Sequence, residues 1–126
     1  MMPETPLTGL LTALGIGLLI GLERGWKDRA DPDGSRVAGF RTIGLIGFLG
    51  GLFAFIDTGS GLVIAAGFVG LALLLREGFE AQIDVTRIVS VTTMVAALSA
   101  YALGAMAVLG HSQAAAAGAV IVAFVL

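Results

Sequence analysis

The chain of 126 residues has no cysteine, one histidine, one tryptophan, one tyrosine and three prolines. Without cysteine there is no disulfide, no thiolate nucleophile and no cysteine-held metal. A single histidine rules out a histidine metal cluster within one subunit. Charge is also scarce, at 13% of residues. A soluble domain carries about 25%. So little charge cannot cover a water-facing surface, and lipid is the expected main solvent.

What fills the chain is apolar: 57% of residues are hydrophobic and mean hydropathy is +0.99. A spanning helix needs roughly 20 apolar residues. The apolar runs predict helices over 7–26, 37–56, 62–75, 86–109 and 113–126. The last ends inside an apolar run and is expected to be cut short. The fold class is therefore all-α, an integral membrane bundle of about five helices in a single domain, 1–126. The N-terminal MMPETPL lacks the positive region of a signal peptide, so the first run reads as a permanent helix.

The few charges are placed with order. Five of the seven basic residues (Arg24, Lys27, Arg29, Arg36 and Arg41) lie between the first two apolar runs. The other two, Arg76 and Arg87, lie between the third and fourth. The remaining connections have no Lys or Arg. All seven therefore fall on one side of an up-and-down path. The positive-inside rule then places both basic loops in the cytoplasm and the N-terminus outside.

Glycine is abundant, with 19 residues. In the first helix Gly17, Gly21 and Gly25 recur every four residues, with Arg24 assigned to the same face. In the second, Gly44, Gly47, Gly51 and Ala54 share a face. In the fourth, Ser90, Thr93, Ala97, Ala100, Gly104 and Ala107 form a small, partly polar stripe. Small residues let helices approach closely where lipid gives no hydrophobic incentive. These stripes read as a close-packed bundle, or more sharply as a pathway or dimer seam.

Glu23 and Arg24 close the first helix, and Arg41 and Thr42 open the second. A tight hairpin would pair Glu23 with Arg41. Arg24 at a helix C-terminus suits the macrodipole, whereas Arg41 at an N-terminus opposes it. Arg41 is therefore expected to have an anionic partner: Glu23, Asp84 or a bound anion, such as a lipid headgroup. The cluster reads either as a structural clamp or as a functional site. Asp84 and Arg87 flank the expected start of the fourth helix, where Asp84 suits an N-cap. Asp31-Pro-Asp-Gly-Ser is an exposed turn rather than a calcium loop, because its glycine is misplaced. Trp26 is an interfacial anchor. Tyr101 lies in mid-helix and needs a hydroxyl partner.

The runs LGIGLLIGLERGW and SRVAGFRT, with IDVTRIVS further on, resemble the MgtC/SapB family of bacterial inner-membrane proteins. The similarity spans roughly Gly9 to Leu109 and is closest to the longer branch, whose members carry a second, C-terminal membrane domain. It implies a five-helix membrane domain with functional weight on Glu23, Arg24, Arg41, Thr42, Asp84 and Arg87. Ile43, Val85 and Met94 depart from the histidine, proline and glutamate often found there, so roles resting on those groups do not carry over.

Membership would imply a membrane regulatory or interaction protein linked to magnesium or ion homeostasis and stress adaptation. The alternative is a transporter or channel for a small ion or solute. No nucleophile-base-orienter set is visible, so no enzyme is expected. Nor is a cofactor, a metal or a nucleic-acid partner. The expected partners are the bilayer, another membrane protein and a second copy in a homodimer. The expected location is the bacterial inner membrane, crossed several times.

Overall fold

The computed structural model describes residues 6–27, 39–85 and 91–125, without the side chains at 27 and 79–85. They form five helices: α1 (Pro6–Lys27), α2 (Phe40–Ile56), α3 (Leu62–Val85), α4 (Val91–Val108) and α5 (Ser112–Val125). No strand occurs among the described residues. Proline at the first position of α1 suits a site where no backbone donor is needed.

The turns are built by local chemistry. Asp57 ends α2 by donating its N–H to the Phe53 carbonyl at 3.0 Å. Its carboxylate then starts α3. Oδ1 accepts the N–H groups of Gly59 (2.8 Å) and Gly61 (3.0 Å), and Oδ2 those of Val63 (3.0 Å) and Ile64 (3.2 Å). One side chain thus satisfies four backbone donors. The Gly61 and Gly59 bonds, helped by those of Ile64 and Val63, hold its pKa below the ordinary 3.8 against an opposing desolvation. α4 ends in a Schellman turn, with Gly110 at φ 97° and His111 N–H donating to the Met106 carbonyl at 2.9 Å.

α1, α2 and α4 form a closely packed triangle; α5 lies against α4 and α1, and α3 leans on α2 and α4. The core is built of small or branched side chains, including Ala13, Ile20, Ile43, Ala97 and Ala100. Such a core works because helix backbones nearly touch. A Cβ on Gly17 would sit 2.7 Å from the carbonyl oxygens of Ile43 and Gly44, and one on Gly47 would sit 2.8 Å from that of Ala13. A Cβ on Gly104 would run into the Gly47 carbonyl, and one on Gly50 into the Tyr101 carbonyl. Only glycine permits these approaches.

The outer faces are the reverse. Leu11, Leu22, Leu45, Leu73, Ile121 and Phe124 are among many large apolar side chains left exposed. A soluble monomer rarely exposes so much apolar surface. Pro6–Trp26 and Val91–Val108 are long and apolar enough to cross a membrane.

Two sequence expectations need correction. The third helix does not stop at Leu75 but runs to Val85, and the run from Arg76 onward includes the helix-favouring Arg76, Glu77, Glu80, Ala81 and Gln82. A helix continues past the lipid edge wherever its own hydrogen bonds are satisfied. Asp84 therefore lies in the last turn of α3, where a carboxylate opposes the dipole, and not at the cap of the fourth helix. Gly25 also differs from its neighbours in the stripe, since a Cβ there would meet nothing within 4 Å.

Candidate functional site

The sequence cluster splits into an inward half and an outward half. Arg24 is 6% exposed, turned into the triangle. Its guanidinium donates to the hydroxyl of Thr93, at the start of α4, across 3.3 Å. The cation is thus drawn under the bundle rather than left to water at the end of α1. Gly21 explains how α1 comes so near. A Cβ there would lie 2.6 Å from the Phe40 carbonyl, so α1 and α2 touch one turn from Arg24. Arg24, about two helical turns from Gly17, reaches Thr93 on α4.

Arg41 and Thr42 are exposed. No bridge joins Glu23 to Arg41 among the described residues. The pairing expected from the hairpin is replaced by two separate environments. Glu23 is half-buried and lines a cavity of 490 Å³ with Leu19 of α1 and Val120, Ala123 and Phe124 of α5. Thr42 lines a different cavity, also 490 Å³, between α2 and α3. The side chain of Asp84, all of Arg87 and the turn at 31–35 lie outside the described residues.

Of the expected packing glycines, Gly17, Gly21 and Gly47 face backbone atoms of a neighbouring helix. Gly51 faces the Ala13 methyl at 2.8 Å, and Gly44 faces the flexible Leu18 side chain at 2.5 Å. Gly50 and Gly67 were not singled out in the sequence, though both sit at close contacts. For Gly50 a signal was available: it neighbours Gly51 and lies three residues from Gly47 on the same buried stripe.

Tyr101 finds the partner that its sequence position required. Its hydroxyl donates to the Ile64 carbonyl on α3 at 2.8 Å. The ring is fully buried between Phe53 (centroids 6.2 Å apart) and Phe68 (5.8 Å), both edge-on. Gly67 leaves the space for the hydroxyl. This bond ties α3 to the triangle.

Apolar outer faces, backbone-tight helix seams and, among the described residues, a buried cation held by a hydroxyl define a helical membrane-protein bundle. Among the described residues no group of three or more His, Cys, Asp or Glu is placed to hold a metal. The MgtC family model matches residues 10–126, and the chain belongs to that family. Membership makes it a membrane protein, linked at the level of the family to magnesium homeostasis. No curated protein and no solved structure matches it.

Proposed function

We propose that this protein is a non-enzymatic regulatory or interaction protein of the bacterial inner membrane, acting in magnesium or ion homeostasis and stress adaptation. It crosses the membrane several times, with the N-terminus outside and the basic connections in the cytoplasm. Another membrane protein or a second copy is its partner. The observation that carries this reading is the tight packing of the triangle. Gly17, Gly47 and Gly104 bring α1, α2 and α4 together with backbone against backbone. The charge that enters the bundle, Arg24, is engaged with Thr93. What the fold offers outward is rigid apolar helix surface, the kind that another membrane helix packs against.

A second reading, a transporter or channel, is favoured by Glu23. It places a carboxylate on a cavity between α1 and α5, and ionisable groups beside intramembrane cavities mark ion pathways. Flux measured in liposomes containing the full-length protein separates the two. The regulatory reading expects no flux above empty liposomes for a panel of ions and solutes, from protein that still restores growth of a deletion strain in low magnesium. Flux that disappears in Glu23→Gln would overturn it and make the α1–α5 cavity part of a pathway.

A further inference from the structure

We propose that the groove between α2 and α3 is a binding site for an anionic phospholipid, with one acyl chain in the groove and the phosphate on Arg41. The groove has a volume of 490 Å³ and is walled by Ile46, Leu49 and Leu52 of α2 and by Leu71, Leu75 and Gly78 of α3. On α3 the lining follows a stripe at i, i+4 and i+7, so the wall is continuous along the helix. From Thr42 to Leu52 the groove runs about 15 Å at the helical rise. Tyr101 fixes α3 to the triangle at Ile64, near the opposite end of α3 from Gly78. An apolar slot of this depth in a membrane protein holds hydrocarbon.

Its mouth selects the headgroup. Thr42 sits on the rim, and Arg41 stands one turn above Leu45, which also lines the groove. Helical side chains lean toward the N-terminus, so Arg41 reaches out over the mouth. It is exposed and makes no ion pair among the described residues. Gly39 supplies no side chain to cap α2, whose N-terminal end lies at the Thr42 end of the groove. A cation and a hydroxyl beside an apolar slot match a phosphodiester on a hydrocarbon tail. Among the described side chains of α3, the acid Glu77 lines the neighbouring crevice with Arg76 and not this groove. The site is separate from the Arg24 cluster and does not rest on the regulatory reading.

The test uses the full-length protein in neutral detergent, with phosphatidylglycerol and phosphatidylcholine of identical acyl chains as probes. Binding of each is read by native mass spectrometry. The wild type should prefer phosphatidylglycerol by about fivefold, the worth of one basic residue at a membrane surface. Arg41→Gln should abolish that preference and Arg41→Lys should keep it. Leu74→Trp puts an indole in the groove from a position 69% exposed, so the fold should tolerate it. It should weaken both lipids. Equal binding of the two lipids by the wild type would overturn the proposal. So would a preference that survives Arg41→Gln, or unchanged binding by Leu74→Trp. A Leu74→Cys variant that cross-links two copies, with lipid excluded, would assign the groove to a second copy and overturn it as well.

Discussion

Gly104→Ala should loosen the triangle, and its cost can be worked from the seam. The added methyl would occupy the space of the Gly47 carbonyl oxygen. Neither partner can yield by rotating a side chain, because the obstacle is backbone. α2 and α4 must therefore separate by on the order of 1 Å, which forfeits roughly a quarter to a half of the dispersion attraction of each facing atom pair. Overpacking of this kind costs about 1–3 kcal/mol. Against it stands the gain of about 1 kcal/mol when alanine replaces glycine within a helix. A net loss of up to about 2 kcal/mol is expected. Gly15→Ala is the internal control. A Cβ there meets nothing within 4 Å, so only the favourable part remains, and stability should rise by up to about 1 kcal/mol. The assay is reversible unfolding of both variants in the same detergent, followed by circular dichroism. Equal shifts for the two variants would refute the idea that backbone contact at Gly104 sets the α2–α4 distance.

Three further outcomes follow from the polar contacts. Thr93→Val keeps the shape but removes the acceptor for the Arg24 guanidinium, and should cost about 1–3 kcal/mol. In a double-mutant cycle with Arg24→Met the two losses should not add. Tyr101→Phe should cost about 1 kcal/mol and speed amide exchange in α3 while leaving α1 and α2 unchanged. Asp57 has a folded pKa below its ordinary 3.8, so its contribution is complete above that value and is lost as pH falls through the lower folded value. Wild-type stability should therefore drop on acidification below about pH 4, and Asp57→Asn should flatten that part of the profile, read by unfolding across pH.

The charged motif shows where reading along the chain stops. Glu23 and Arg24 are adjacent, yet one lines the α1–α5 cavity and the other is buried against Thr93. Successive helical residues are turned by about 100°, so neighbours meet different helices. No local pattern names those helices. Arg41 was legible as a cation at an unfavourable helix end, but the absence of a bridge to Glu23 followed from how α1 and α2 dock. The end of α3 was misplaced for another reason. Hydropathy reports where lipid stops, whereas the helix stops only where its own hydrogen bonds do.

The sequence by itself determined the all-α class, the five helices and the small-residue stripes that close packing uses. Each of these rests on short-range physics: run length, peptide hydrogen bonding and side-chain volume. Tertiary structure alone decided that Tyr101 reaches the Ile64 carbonyl across 37 positions of chain, and that Thr93 receives Arg24 across 69. It also decided that α3 stands off far enough to leave a groove. These contacts depend on helix phase and on which helix lies alongside, and both are set only when the backbones have packed.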